Sequence, residues 1–386
     1  MNEPKFDWAK PLTTTILTLK ITGVIPINAS TRFYRNLSKL YSAAILFFFV
    51  ILSTFLQTTQ TIFFTRDTKK LAAAAFQLLQ EYQAAVKIYV VFTKSDVLEN
   101  IIHFLNSEKS FQPQTQTQKS RAVAGLRFWK KSALLLYSGS YVCSFFWTVY
   151  PILDNLTEQS ELLFDSWFPF NVTVYPSYQI AYVYQCFDLW LCALSVVNID
   201  TVIFALMIFV VLQCDILCEN LKNVGCNKGD FGGDFRRCVR HHKKILRFSE
   251  ICVDFFYVMI FIQVATVALC LGISTFQLTL IPAFSTEFCY VLLYVVTVVF
   301  QMFQYCWFGN EVLVKSGEIS TSAFEMNFAD APLHVRKNLA FFITRTQKPI
   351  KIPVLNLTFL SLQSFIKILR TAWSYFALLY HITVKN

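Results

Sequence analysis

Two long apolar runs without a charged side chain constrain this sequence most strongly. They cover residues 40–65 and 132–153. At 1.5 Å per residue, a helix of either length crosses the roughly 30 Å hydrocarbon core of a bilayer. The composition agrees, because 15% of the 386 residues are charged, against about 25% in soluble domains. The chain is therefore expected to be an integral membrane protein.

Five further segments complete a prediction of seven transmembrane helices in an all-α membrane protein. The fourth helix begins near Pro176 and passes Asp188 and Asp200, and its length suggests that one end projects into water. The second is less apolar because it contains Glu81 and Lys87. Charges inside a membrane either pair within the bundle or mark function, and we expect pairing here. The additional segments are residues 71–92, 176–211, 255–281, 288–310 and 356–386.

The loops between these segments predict the orientation of the chain. Residues 151–177 contain acidic side chains but no Lys or Arg, whereas residues 93–131 and 212–247 are rich in both. The positive-inside rule then makes the N-terminus cytoplasmic and the C-terminus extracellular. The basic residues of the first outer loop run against this trend; they are Arg66, Lys69 and Lys70. Orientation explains the formal net charge of +10, so no nucleic-acid partner is expected.

The last helical segment carries a polar stripe. Residues spaced by three and four fall on one face of a helix, and here they are Ser364, Lys367, Thr371, Ser374, Leu378 and His381. The opposite face is apolar and comprises Phe365, Leu369, Ala372, Phe376 and Leu379. Lipid offers polar groups no hydrogen bonds. Two interpretations stay open: a Ser/Thr seam packed against other helices, or a pore-lining helix narrowed by Leu378 and Ile382.

A short amphipathic helix is predicted just before this last span, within residues 311–353. Its apolar face comprises Leu333, Leu339, Phe342 and Ile343, and Pro349 and Pro353 end it. Such a helix provides an assembly surface or lies on the anionic inner leaflet of the membrane.

The sequence predicts neither an enzyme nor a cofactor. It lacks paired carboxylates at a useful spacing and a phosphate-binding glycine loop. Its clustered cysteines and histidines match no standard zinc module, so no metal site is expected; they are Cys214, Cys218, Cys226, Cys238, His241 and His242.

Motifs in roughly the last 70 residues resemble the insect odorant receptor family. One element is similar to the family's Ala-(x)-Tyr…Trp pattern, with Phe324 and Phe328 in place of Tyr and Trp. A second resembles its Arg-Lys-x-Leu…Arg-x-Gln-x-Pro pattern and comprises Arg336, Lys337, Leu339, Arg345, Gln347 and Pro349. The family's final-helix pattern is matched by residues 360–365 and 374–379.

This resemblance implies a tetrameric, non-selective cation channel in the plasma membrane, gated directly by small volatile odorants. It further implies a ligand-tuned subunit assembled with the shared odorant-receptor co-receptor. We expect residues 1–310 to form the ligand-binding transmembrane bundle, residues 311–353 a cytoplasmic assembly region, and residues 354–386 the pore-lining helix with a short extracellular tail.

Two alternatives belong to other classes of membrane protein. Gustatory receptors usually carry Thr-Tyr-x5-Gln-Phe in the last helix, where this chain has Ser374, His381 and Ile382 at the Thr, Gln and Phe positions. A secondary transporter normally shows internal repeats and Gly- or Pro-broken spans. The three differences from the gustatory motif favour the odorant branch, and ten Gly with no visible repeat count against a transporter.

The resemblance also assigns site residues. Leu378 and Ile382 match the family's apolar gate positions, His381 a polar position beside them, and Ser374 continues the polar stripe of the pore. The implied ligand pocket lies in the outer half of the bundle, where aromatic pairs at helical spacing suit a small apolar ligand. These candidates are Phe76, Gln80, Tyr141, Phe145, Tyr178, Tyr182, Tyr290 and Tyr294.

The predicted orientation can be tested through glycosylation. Asn155 and Asn171 each begin an Asn-x-Thr sequon in the loop predicted to be extracellular. Glycan is therefore expected on one or both, and Asn155→Gln with Asn171→Gln should abolish a mobility shift caused by glycosidase. A tag placed after Asn386 should stain intact cells; staining only after permeabilisation would contradict this orientation.

Overall fold

Long helices make up most of this computed structural model, which describes residues 5–27, 31–64, 68–154, 162–172, 174–225, 231–282, 285–328, 331–354 and 358–385. In chain order the helices are α1 (Thr13–Ile21), α2 (Arg32–Leu46), α3 (Leu52–Thr59), α4 (Thr68–Thr93), α5 (Ser95–Ser107), α6 (Gln116–Asp154), α7 (Ser177–Lys222), α8 (Phe231–Leu280), α9 (Thr286–Phe324), α10 (Leu333–Thr346) and α11 (Leu362–Lys385).

Shorter elements join or extend these helices. The π-helical segments Phe47–Ile51 and Gln60–Phe64 continue α2 and α3 into one helical run, and 3-10 turns occupy Lys10–Leu12 and Lys109–Phe111. Strands β1 (Pro353–Val354) and β2 (Thr358–Phe359) pair antiparallel just before α11, with Val354 opposite Thr358.

The helix α7 lies at the centre of the bundle. Every residue from Val197 to Cys214 is buried, and α7 packs against α1, α4, α6, α8 and α9. A helix that is apolar on all sides is stable only when other elements surround it. This explains why the α7 segment has a continuous apolar sequence rather than one apolar stripe.

Within the described residues, five helical runs are long and apolar enough to cross a membrane by length and composition. They are Arg32–Phe64, Gln116–Val149, Ser177–Lys222, Phe231–Leu280 and Glu287–Phe324. The charged helices α4 and α11 occupy the other two predicted positions. The all-helical prediction is therefore confirmed.

Several helices are longer than the predicted spans. The helices α6, α7, α8 and α9 contain 39, 46, 50 and 39 residues, or roughly 60 to 75 Å at 1.5 Å per residue. The expected overshoot of the fourth span is confirmed, but hydropathy alone missed the charged extensions of the other three. These extensions meet at one end of the bundle, which we call the basic end because the described parts of the Lys- and Arg-rich segments 93–131 and 212–247 lie there. At this end Lys244 forms an ion pair with Glu108, and Gln118 donates a hydrogen bond to Asn220 at 2.8 Å.

The predicted amphipathic helix is α10, which packs at the basic end. Leu339 and Phe342 are buried, and the Phe342 ring contacts Phe235 and His242 of α8. Leu333 was expected on this face but is 70% exposed. It occupies the first position of the helix, where the chain has not yet turned towards α8.

A buried ion pair joins α4 to α7. Lys87 Nζ lies 2.7 Å from Asp200 Oδ1, and both side chains are fully buried. The hydroxyl of Tyr305 on α9 donates to the same oxygen at 2.6 Å, while Gln301 of α9 donates to the other oxygen. Lys87 also donates to Gln263 of α8. Four helices thus share one polar network.

Removing one charge of this pair should destabilise the fold. Lys87→Met leaves the Asp200 carboxylate buried without its cation, which costs about 3–5 kcal/mol. We expect a clearly lower melting temperature for the detergent-solubilised protein, partly recovered by adding Asp200→Asn. Lys222→Met, which breaks the exposed pair with Glu325, is the control and should melt near the wild-type temperature. Equal melting temperatures for Lys87→Met and the control would contradict this role.

Candidate functional site

A cavity of about 180 Å³ lies among α4, α6, α7 and α9, in the half of the bundle adjacent to residues 151–177. Most of its lining is apolar or aromatic, as is usual for sites that bind small organic molecules. Phe164, from the segment between α6 and α7, contributes to the lining. The lining residues used below are Phe76, Gln80, Glu81, Cys143, Ser144, Trp147, Phe164, Cys192, Tyr294, Thr297 and Gln301.

Helical spacing brings these side chains together. On α4, Phe76 and Gln80 lie one turn apart, and on α9 Tyr294 and Thr297 do the same. Each helix thereby turns one face towards the cavity. Small side chains on α6, such as Ser144, leave space between the larger groups.

Three aromatic rings form one wall. The Phe76 ring centroid lies 5.5 Å from that of Tyr294 and 5.9 Å from that of Trp147. Trp147 also contacts Tyr294 and Phe164, at 6.2 Å and 6.0 Å. These tilted and edge-on contacts fix the rings relative to one another, so the wall is already formed without a ligand.

Polar side chains line part of the cavity, among them Gln80, Glu81 and Gln301. Gln80 donates a hydrogen bond to the Tyr294 hydroxyl at 2.6 Å, which orients both side chains. Gln301 lines the cavity and also donates to Asp200 of the buried ion pair. The cavity and the polar network at the centre of the bundle therefore share one residue.

The helix α11 packs closely on α8. A Cβ added to Gly272 would lie 2.7 Å from the Cβ of Tyr375 and 3.1 Å from the Ala372 carbonyl oxygen, so only glycine permits this approach. Ala372 is buried, whereas Ser374 and Leu378 on the other side of the helix are exposed. The apolar face of α11 thus contacts the chain at Ala372, whereas Ser374, Leu378 and His381 of the polar stripe are exposed.

Comparison with known proteins decides the family. The family model described as 7tm odorant receptor matches residues 67–373. The chain belongs to the 7tm odorant receptor family. Seven transmembrane helices, a multi-pass location in the plasma membrane and a receptor rather than an enzyme follow from this membership and from the apolar helices.

The individual relatives of this odorant receptor are distant. It is 23% identical over 222 residues to odorant receptor Or2 of Anopheles gambiae, covering 54% of this chain and 58% of that protein. It is 24% identical over 209 residues to odorant receptor 46a, isoform A, of Drosophila melanogaster, covering 53% and 55%. The matches thus span a little over half the length of these relatives.

A solved structure shares the fold over nearly the whole receptor. The olfactory receptor OR5 of Machilis hrabei, in complex with eugenol, superimposes with a TM-score of 0.85 at 18% sequence identity. The match covers 98% of this chain and 100% of OR5.

The structure brings three of the predicted pocket residues together at the cavity of the odorant receptor: Phe76, Gln80 and Tyr294. The other five lie outside its lining. The Tyr290 ring packs on Trp147 at 5.2 Å, one layer behind the cavity. Of the other four, Tyr141 contacts Trp190, and Phe145 is 54% exposed. The rings of Tyr178 and Tyr182 contact each other.

Sequence reasoning missed most of the α6 and α7 lining, including Cys143, Trp147 and Cys192. The search for aromatic pairs one turn apart overlooked Trp147, because its helical neighbours at Cys143 and Ser144 are small. A search for a large side chain above small ones on one helix face would have found it.

The remaining predicted sites lie on exposed or undescribed positions. His381 is exposed, as are Ser374 and Leu378, while the side chain of Ile382 lies outside the described residues. Asn171 is exposed, and Asn155 lies outside the described residues.

Proposed function

We propose that this receptor is the ligand-binding subunit of an odorant-gated, non-selective cation channel, assembled as a heterotetramer with the odorant-receptor co-receptor. The cavity walled by Phe76, Trp147 and Tyr294 carries this proposal. It is preformed, and aromatic and apolar side chains make up most of its lining beside a smaller number of polar groups, which suits a small volatile organic ligand.

The cavity volume limits the size of that ligand. An apolar cavity of about 150 Å³ in another protein holds one benzene molecule, and the cavity here has about 180 Å³. A compound with a single ring or a short chain therefore fits without rearrangement of the walls. OR5 of Machilis hrabei, which shares the fold, was solved with eugenol, a molecule with one aromatic ring.

The last helix supplies the features of a pore wall. The hydroxyls of Thr371 and Ser374 donate to the carbonyls of Lys367 and Arg370 one turn earlier. The hydroxyl oxygens can still accept hydrogen bonds from water. Leu378, one turn beyond Ser374, is 58% exposed. Around a tetramer axis, Leu378 and Ile382 would form apolar rings that exclude water until ligand binding favours a state with the helices apart.

The basic end supplies an assembly surface. The apolar side chains Leu333 and Phe341 of α10 are 70% and 78% exposed, although this end projects beyond the hydrocarbon core. We assign residues 311–353 to contacts with the co-receptor, residues 1–310 to ligand binding and residues 354–386 to the pore.

Recording from cells that express the receptor with and without the co-receptor tests this function. We expect a current evoked by small single-ring volatiles only in the co-expressing cells. Full current from the receptor alone would contradict the assembly proposal, and no current from surface-expressed complexes across a broad volatile panel would contradict the channel proposal.

Truncating the cavity wall should weaken the ligand. Phe76→Ala removes a ring that touches both Trp147 and Tyr294, and a lost aromatic contact of about 1–2 kcal/mol corresponds to roughly 5- to 30-fold in potency. The measurement is the half-maximal odorant concentration, with unchanged single-channel conductance. Phe146→Ala, on the exposed face of α6, is the matched control. Equal potency in wild type and both variants would place the ligand elsewhere.

A polar side chain at the proposed gate should let water in. Leu378→Ser is expected to raise current in the absence of odorant or to alter relative ion permeability, because a hydrated ring no longer blocks ions. Leu134→Ser, at a 67% exposed position of α6, controls for loss of an exposed leucine. Wild-type leak and permeability in both Leu378→Ser and Ile382→Ser, at normal surface level, would show that this helix does not carry the gate.

A further inference from the structure

Two buried carboxylates lie side by side at the cavity. Carboxylate oxygens of Glu81 and Asp188 and the sulfur of Cys192 all lie within 4.8 Å of one another. Glu81 is 9% exposed, Asp188 is fully buried, and Glu81 lines the cavity. Gln57 is a hydrogen-bonding neighbour of the Glu81 carboxylate, yet Oε2 of Glu81 has no hydrogen-bond partner among the described residues.

The two carboxylates differ in how many of their oxygens have a hydrogen-bond partner. Ser53 donates to Asp188 Oδ2 at 2.5 Å, and the Cys192 thiol donates to Asp188 Oδ1 at 3.7 Å. Both oxygens of Asp188 are thus engaged by the chain itself. Oε2 of Glu81 is itself buried and remains without a hydrogen-bond partner among the described residues, while the Glu81 side chain lines the cavity.

No protein cation balances this acidic pair among the ion pairs of the described residues. The buried lysine on the same helix, Lys87, is bound to Asp200. A buried carboxylate without a partner either takes up a proton or binds a cation, so Glu81 favours a ligand that brings a positive charge and hydrogen-bond donors in place of that proton.

The aromatic wall fits the same ligand. Cations are attracted to the faces of Trp, Tyr and Phe rings, and ammonium ligands are recognised in this way. Phe76, Trp147 and Tyr294 surround the cavity that Glu81 also lines. We propose that Glu81 makes this receptor selective for a small protonated amine with one apolar ring or chain, an inference that rests on the proposed ligand-binding function.

A metal ion fits this arrangement less well. The cavity is much larger than an ion, each oxygen of Asp188 already accepts a hydrogen bond, and Cys192 donates one of them. Zinc binding is therefore an outcome that the test must be able to reveal.

A matched set of three probes tests the proposal: benzylamine, benzyl alcohol and toluene, which share one ring and differ in the polar group. Binding is followed by the melting temperature of the purified receptor–co-receptor complex, and gating by current in co-expressing cells. Benzylamine should be the most effective probe in both assays. Glu81→Gln, which keeps the shape of the side chain, should weaken benzylamine about 10- to 100-fold, the usual worth of a hydrogen bond to a charged group.

Controls separate charge recognition from general damage. Glu81→Gln should keep the response to toluene, which shows that the variant folds. Thr297→Val alters the facing wall without changing its charge and should shift all three probes alike.

The two assays distinguish this inference from the proposed function. Stabilisation by benzylamine without current would support the amine site and contradict gating. Equal or better responses to the neutral probes, or an amine response untouched by Glu81→Gln, would overturn the amine site and leave the channel function standing. Stabilisation by zinc that is lost in Glu81→Gln, with no effect of benzylamine, would also overturn it.

Discussion

The fold depends on the buried pair of Lys87 and Asp200. Both charges lie where neither water nor lipid can solvate them, so each needs the other and every remaining donor and acceptor needs a partner. Tyr305, Gln301 and Gln263 supply those partners from α8 and α9. Apolar packing alone tolerates sliding of one helix along another, whereas these directional contacts fix the relative heights of α4, α7, α8 and α9.

The same network links the cavity to the last helix. Gln301 lines the cavity and donates a hydrogen bond to Asp200. Its side-chain oxygen accepts a hydrogen bond from Gln263 at 3.3 Å. Gln263 lies on α8, and nine residues further along that helix Gly272 meets α11. A rearrangement of α9 around a ligand therefore disturbs hydrogen bonds that hold α8, which is the main support of α11. The cavity and α11 are therefore joined by one continuous set of contacts, which runs through Gln301, Gln263 and the close approach at Gly272.

The sequence alone predicted those features of the fold that depend on contact with lipid, namely the membrane-crossing helices and their apolar faces. Charge-free runs predicted membrane-crossing helices, and a three-four spacing separated a polar face of α11 from an apolar face that includes the buried Ala372. It could not show which charges meet: Lys87 was expected to be paired, but the choice of Asp200 depends on the heights of two helices far apart in the chain. Likewise Glu81 belongs to the cavity only because four helices converge, which no single helical pattern records.

Two groups of exposed side chains do not match the lipid or water that would surround them on a single chain, and both point to protein neighbours. Exposed aromatics such as Phe47 and Phe63 on the first helical run are satisfied by lipid, since that run crosses the membrane. Lipid accounts poorly for the exposed hydroxyls of Thr371 and Ser374, whose donors are satisfied within α11 but whose oxygens can accept further hydrogen bonds only from water or protein. Nor can it account for Phe341, 78% exposed on an extension beyond the hydrocarbon core, where water is an unfavourable neighbour. A polar face within the membrane and an apolar face outside it are both accommodated when copies of this fold surround a hydrated axis and touch at the basic end.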